Sequence, residues 1–371
     1  MTKTVIMHLS ANCYPPLPAN HHTKNIWQQL SAGVDEYHVV ARSLDNQYSY
    51  SQEGNIYLHL LPKIGNSAFY FMFTSWIILF LIPKYKVSHV IAQSPVVGGL
   101  TAAILSFFYQ FRLFIEIHGV MYFCGIQKGK WHFRFYRLVS SFSFKRAQCI
   151  RVLSTSMLDD IERVYGLENR KKSIVVPVRV DKNIFNVFKE HYALSTEKKL
   201  KLVTVGAFNS VKNHLQLIEN ISKLNIPVSL IIIGNHGPLK EKCIALANSL
   251  NVELLVKQNI SQSEISNILI TQDVYIHYSI AEGTPRAILE AMMVGLPVIT
   301  TDVGYVKDII QSEYTGILLS DFTHQELNSA LTRLQSETLR RQLGVAARNY
   351  VLENYEAEVV FKKYRNAILG A

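Results

Sequence analysis

Short aliphatic and β-branched runs alternate along the whole chain with longer amphipathic stretches, and this alternation narrows the choice of fold more than any other feature. In the first half the runs Val5–Leu9, His38–Ala41, Ile56–Leu60, His89–Ile91, Leu113–Ile117 and Cys149–Leu153 read as strands. In the second half Lys201–Val205, Val228–Ile233, Glu253–Val256, Val274–Tyr278 and Pro297–Thr300 read the same way. Helices are predicted in the gaps, notably over Ser67–Ile82, Val96–Phe108 and Trp131–Phe142. Repeated βα units build parallel sheets covered by helices. The polar stretch 175–201 follows neither period and marks a domain boundary, giving domains 1–180 and 181–371, the latter closed by an amphipathic helix over 356–371. A chain of 371 residues is longer than one core usually serves, which agrees with two domains. The expected class is therefore α/β: two Rossmann-like parallel-sheet domains facing a central cleft, with ligands at the carboxyl ends of the strands.

Composition removes several classes of function. With 49% apolar and 18% charged residues the chain is globular. Cys13, Cys124, Cys149 and Cys243 lie too far apart in sequence for a zinc-ligand spacing or a dense disulfide framework, which suits a reducing, cytoplasmic setting. The apolar run at the N-terminus is too short for a signal peptide. Ala68–Ile82 spans 15 residues, short of a bilayer's ~30 Å core at ~1.5 Å per helical residue, so it is predicted to be a buried helix. No G-x-G-x-x-G follows a strand, no Walker pattern occurs, and no Asp-x-Asp is present to hold a metal on a sugar-nucleotide. The charge is lopsided. Residues 1–180 carry 19 Lys/Arg against 9 Asp/Glu, and residues 181–371 carry 19 against 19, so an anionic partner surface is expected on the first half.

The most informative segment is "YSIAEGTPRAILEAMMVGLPVITTDVG", residues 278–304. The strand before it ends in a turn at "AEGTP", where Thr284 is a plausible helix N-cap and Pro285 the first helical residue; Gly295 and Pro297 close the helix. Glu282 then falls on the loop at the strand's carboxyl end and Glu290 inside the helix, flanked by Leu289, Ala291, Met292 and Met293. A carboxylate in such surroundings needs partners. A helix N-terminus offers N–H donors to an anion, and carboxylates on either side accept from sugar hydroxyls. Taken singly, Lys212 also reads as a solvated loop residue, His118 as a turn residue and the two glutamates as surface acids.

Together these segments resemble the family 4 glycosyltransferases, retaining enzymes of the GT-B fold. "EGTPRAILEAMMVGLPVITTDVG" is similar to the family's E-x7-E signature, "VTVGAFNSVKNH" to its strand–Gly–loop–Lys segment, "IIIGNHGPLKEKCIALANSLNV" to its second glycine turn, and "IEIHG" to its N-domain histidine. "VVPVRVDKNIFN" resembles the interdomain segment, and the final helix the one that crosses back to the N-domain. The resemblance implies an acceptor-binding N-domain and a nucleotide-sugar-binding C-domain. In it, Glu290 takes the ribose hydroxyls and Glu282 the donor sugar's hydroxyls. Gly206, Gly283 and Thr284 line the sugar and diphosphate. Lys212 pairs with the diphosphate, and His118 contacts the donor sugar near the reacting carbon. His118, Lys212 and Glu282 are thereby the catalytic candidates, with no metal and no cofactor beyond the sugar-nucleotide co-substrate. The leaving phosphate takes the acceptor's proton, so no separate general base is nominated. A UDP-sugar donor is favoured over a GDP-sugar, and a glycan or lipid-linked saccharide of a bacterial surface polysaccharide is the expected acceptor. A non-catalytic glycosyltransferase-like subunit and a GT-B sugar-nucleotide epimerase are the alternatives.

The chain departs from the family pattern in three places. Ala207 stands where an Arg is common, so one diphosphate contact is either missing or supplied elsewhere, by Arg179 or Arg286. The N-terminal loop has Pro18-Ala19-Asn20 for a Gly-Gly pair, and Val178-Arg179 replaces Asn-Gly before Val-Asp.

From Ile117 to Leu158 the chain has seven bases and no acid. On a helical wheel Trp131, Phe135, Leu138, Val139 and Phe142 share one face, taken as core, while Phe133, Arg137 and Phe144 cluster opposite, near Arg134 and Lys145. Aromatics beside cations suit an anionic membrane surface. The expectation is peripheral attachment to the inner leaflet through Phe133, Arg134, Arg137, Phe144 and Lys145, with no nucleic-acid partner.

Overall fold

All eleven strands expected from the apolar runs form in the computed structural model, which describes residues 3–19, 22–63, 65–118, 131–192 and 199–370. Interior parallel strands are buried on both faces and therefore read as continuous apolar runs. Three further strands join them: Ser49–Glu53, Ser173–Val175 and Ile317–Leu319. These are short or polar, and carry no such signal.

The chain divides into two units, Met1–Pro177 with Phe361–Ala371, and Val178–Val360. The division thus falls three residues before the expected position, and the last helix, Ala357–Leu369, gives its residues from Phe361 onward to the first unit.

The first unit holds β1 (Val5–Tyr14), β2 (Glu36–Ser43), β3 (Ser49–Glu53), β4 (Ile56–Leu61), β5 (His89–Ala92), β6 (Arg112–Glu116), β7 (Cys149–Val152) and β8 (Ser173–Val175). They form one sheet in the order β3-β4-β2-β1-β5-β6-β7-β8, parallel except for the β3–β4 pair. The second unit holds β9 (Leu200–Val205), β10 (Val228–Ile233), β11 (Leu254–Lys257), β12 (Val274–His277), β13 (Val298–Thr301) and β14 (Ile317–Leu319). Their order is β11-β10-β9-β12-β13-β14, every pair parallel. In each sheet the strand order reverses beside the first strand, between β1 and β5 and between β9 and β12. Loops leaving the carboxyl ends there flank the crevice where such sheets take ligands.

One face of the second sheet packs Leu202, Phe208, Leu217, Ile232 and Ile276. The other packs Val203, Tyr275, Ile288, Leu289, Met292 and Met293. Burying each large side chain contributes about 1.5–3 kcal/mol. The helix Arg286–Met293, buried from Ile288 to its end, is therefore firmly fixed, and Gly295 at φ +79° ends it as expected.

Two expectations for the first unit are corrected. Ser67–Ile82 is not one buried helix. It is a chain of short turns and helices over Ala68–Tyr85, with Phe71, Ile78, Leu81 and Ile82 inward and Phe73, Trp76 and Phe80 outward. By length and composition this span also suffices to cross a bilayer, and only 28% of it is buried. The faces of the helix Trp131–Arg146 are partly exchanged, although Val139 is buried and Arg137 exposed as expected. Phe144 is fully buried edge-on against Tyr165, whereas Phe135, Leu138 and Phe142 point outward. The reason lies in Ser140 and Ser143, both fully buried. Serines are small enough to pack closely in a core but read as polar on a helical wheel. Arg134, Arg137 and Lys145 are exposed as expected, and Phe133 is half-buried. Asn20, Cys124, Lys128, Lys130 and the side chain of Trp131 lie outside the described residues.

Candidate active site

The second unit brings Lys212 and Glu282 together. After β9 the chain passes Gly206 and turns at Ser210–Lys212, where the Asn209 side chain accepts from the Lys212 N–H at 3.0 Å. Asn213 follows at φ +56°, which redirects the chain into the helix His214–Ile221. The Lys212 stem lies over Gly206. A Cβ there would stand 3.0–3.2 Å from Cγ, Cδ and Cε of the lysine, so the glycine provides its path. Lys212 Nζ reaches Glu282 Oε1 at 2.6 Å.

The Glu282 loop is held from several sides. Ile280 N–H donates to Val211 O at 2.9 Å, which ties this loop to the lysine turn. Thr301 Oγ1 donates to Ser279 O at 2.7 Å, and Tyr305 N–H donates to Gly283 O at 3.3 Å. Gly304, at φ +60°, passes so near the loop that a Cβ would stand 1.9 Å from Glu282 O.

His277, fully buried at the end of β12, is the partner that sequence reasoning missed. Its Nε2 lies 2.9 Å from Glu282 Oε1 and its Nδ1 3.3 Å from the Tyr275 hydroxyl. Burial lowers the His277 pKa although Glu282 opposes that shift, so the ring is neutral at pH 7. With the tautomer that donates from Nε2, Nδ1 accepts from Tyr275. Burial alone would raise the Glu282 carboxyl, but His277, Lys212 and Ser279 together hold it at about 2. A histidine two residues from apolar strand positions reads as core from sequence, and only its approach to Glu282 reveals the role.

Glu290 is buried one turn into the helix, with Arg286 Nη2 3.6 Å from its Oε1. Burial pushes its pKa up to about 7, against the pull of Arg286. The buried Tyr275 hydroxyl feels both Glu290 and Glu282, so the two carboxylates serve one neighbourhood. Thr284 is not the helix cap. Pro285 takes that position in extended conformation, with no side-chain capping bond, and Thr284 falls one residue outside. Its hydroxyl oxygen is buried with no hydrogen-bond partner among the described residues. A buried donor left unpaired is costly and fits a ligand contact. Among the described residues no group of three His, Cys, Asp or Glu is spaced to hold a metal.

His118 belongs to the first unit, beyond the end of β6 and half exposed. Its Nε2 lies 2.7 Å from Oε2 of the buried Glu116, whose Oε1 accepts from Arg151 Nη1 at 3.1 Å. Arg151 also donates to Val176 O and Pro177 O and lies over the Tyr364 ring. Burial would raise the Glu116 carboxyl, but Arg151 and His118 hold it at about 2. Glu116 is the second residue the sequence reading passed over.

The family profile described as "Glycosyl transferases group 1" matches residues 188–350, and "Glycosyltransferase Family 4" matches residues 19–183. Among curated proteins, the N-acetyl-alpha-D-glucosaminyl L-malate synthase of Bacillus anthracis is 24% identical over 60% of this chain and 60% of its own. The lipopolysaccharide glucosyltransferase WaaG of Escherichia coli is 26% identical over 58% of this chain and 63% of its own. The matched part thus spans less than two thirds of these relatives. Among solved structures, Anabaena HepE in complex with UDP superposes with a TM-score of 0.72 at 13% identity, over 100% of both chains.

Proposed function

Because the chain belongs to the family 4 glycosyltransferases of the GT-B fold, we propose that it moves a sugar from a nucleotide-sugar to a glycan or lipid-linked acceptor with retention at the anomeric carbon. The observation that carries this is the Lys212–Glu282–His277 cluster at the strand-order reversal of the second sheet. Departure of a nucleoside diphosphate builds negative charge. Lys212 and the uncapped N-terminus of Arg286–Met293 oppose that charge without a metal. A preorganised donor of this kind is worth about 3 kcal/mol in the transition state. Glu282, ionised and held on Oε1, accepts from a donor-sugar hydroxyl, and Glu290 accepts from the ribose. Thr284 gives its unpaired hydroxyl to the sugar or phosphate. His118, held by Glu116, contacts the donor sugar, and the departing phosphate takes the acceptor's proton.

A UDP-sugar is the favoured donor, supported by the UDP in HepE. WaaG, named for lipopolysaccharide, supports a bacterial surface polysaccharide as the setting. The acceptor is then met at the cytoplasmic face of the membrane. The test is thermal unfolding with UDP, GDP, CMP or no ligand, all in chelator. Ligand at 100 times its Kd adds ~2.7 kcal/mol to stability. UDP alone should raise the Tm, and Glu290→Ala should abolish the rise; no shift with any nucleotide would contradict the reading.

A further inference from the structure

One buried arginine of the first unit joins three neighbours that the sugar-transfer reading leaves unconnected. Arg151, on β7, is buried and its guanidinium is used on every side. Nε donates to Val176 O at 2.9 Å and Nη2 to Pro177 O at 3.2 Å. Nη1 donates to Glu116 Oε1 at 3.1 Å. The guanidinium carbon lies over the Tyr364 ring, 4.2 Å from its centre. Val176 and Pro177 are the last residues of the first unit before the chain leaves it, and Tyr364 follows closely on Phe361, where the chain returns. Beyond the boundary the two passages are bonded to one another. Val180 N–H donates to Tyr355 O at 2.9 Å, and Ala357 N–H donates to Val180 O at 3.0 Å.

The same arginine decides what His118 offers a ligand. Glu116 is buried, and it stays ionised because Arg151 and then His118 outweigh that burial. An ionised carboxylate only accepts, so the His118 Nε2 that stands 2.7 Å from Oε2 carries the hydrogen. Nδ1 of the neutral ring is then left as an acceptor, and a sugar hydroxyl is a group that donates to it. The planar fork of arginine makes the arrangement stiff. A lysine in its place supplies one point of charge, not three donors in fixed directions. A displacement of the carbonyls at 176 and 177 therefore moves the guanidinium, the carboxylate and the imidazole together. Stability alone gives little account of the pair, since a buried ion pair contributes about as much as apolar residues of its size.

We propose that Arg151 is a positioning residue for sugar transfer, which orients the His118 ring through Glu116 and anchors that ring to both segments by which the chain leaves the first unit and returns. Arg151 itself touches no substrate. The proposal rests on the reading that His118 meets the donor sugar, and it names Nδ1 as the atom that does so.

The experiment uses the full chain and two readouts. The first is ring-nitrogen NMR of the histidines, with the His118 signals identified by their loss in His118→Ala. The wild type should show His118 in one form, protonated at Nε2, and Arg151→Lys should turn it into a mixture of tautomers. The second is a double-mutant cycle on turnover, with UDP-glucose as the probe donor. Arg151→Lys should lower kcat by roughly tenfold, with KM and the UDP-induced rise in Tm near the wild type. In a His118→Ala background it should lower kcat no further. Arg151→Met with Glu116→Gln leaves no buried charge, so it keeps the test open if Arg151→Lys fails to fold, and it should give the same two results. A His118 spectrum that Arg151→Lys leaves unchanged would overturn the proposal alone. So would losses in kcat that multiply across the two backgrounds. His118→Ala turning over UDP-glucose as fast as the wild type would overturn both the reading of His118 and the proposal built on it.

Discussion

Glu282 and Glu290 stand in one loop–helix segment, yet their surroundings drive them apart, to about 2 and about 7. The consequences for stability have opposite signs. Glu282's depressed value contributes stability above its ordinary 4.5, which is lost as pH falls through about 2. Glu290's raised value contributes stability that is full below 4.5 and lost as pH rises through about 7. Glu290→Gln should therefore flatten the pH dependence of unfolding across that window. Above it, the variant should be roughly 1–3 kcal/mol more stable than wild type without ligand. Urea titrations from about pH 5 to 8 check this, and the same variant should lose most of the UDP-induced shift. His277 gives a second prediction. His277→Leu removes the Nε2 partner of Oε1, leaving the carboxylate to Lys212 and Ser279, and should lower kcat by roughly 10- to 100-fold, since a small displacement near the reacting centre costs that much. His277→Gln, whose amide can donate from nearly the same point, should recover most of it. A leucine variant with unchanged kcat would remove His277 from the account. Glu282 and Glu290 were legible because two acids in so apolar a run stand out, whereas Lys212 became a candidate only through the resemblance to the family's glycine–lysine segment. His277 and Glu116 were not, because their meaning lies in which neighbour they touch.

At the level of elements, the sequence was clear wherever an element is buried on both sides. The inner strands each carry a buried apolar run and were all legible, whereas β3, with its half-exposed pattern over Ser49–Glu53, gave no signal. Surface helices were harder. Trp131–Arg146 has apolar residues nearly all round, and the buried side is chosen by Ser140, Ser143 and Phe144, which a polarity pattern ranks wrongly. Turn geometry carries a prediction of its own. Gly304 must adopt φ +60° and has no room beside Glu282 O. Gly304→Ala should cost about 1–3 kcal/mol of stability and also weaken donor binding, because the Glu282 loop must move. Denaturant unfolding together with UDP titration measures both effects. A variant that loses stability but binds UDP as wild type would separate the turn from the site.

On the scale of the whole molecule, the labour is divided between two units whose composition already differs. The first, residues 1–177 with 361–371, carries a net charge of +12 and the outward aromatic side chains, and the second, residues 178–360, carries the Lys212, Glu282 and Glu290 cluster and a net charge of −2. Two-unit α/β architecture followed from the alternation of strands and helices, whereas the reversal of strand order beside the candidate cluster is visible only in the structure. The proposed reaction is retaining, metal-independent cleavage of a sugar-nucleotide supported by Lys212. Its most direct measurement is the early time course of UDP-sugar turnover in chelator, followed by proton NMR at the anomeric carbon. From an α-linked donor the account predicts that the α-configured product appears first, and that Lys212→Ala slows its release by about 100-fold or more. A β-configured first product, or turnover that Lys212→Ala leaves unchanged, would contradict it.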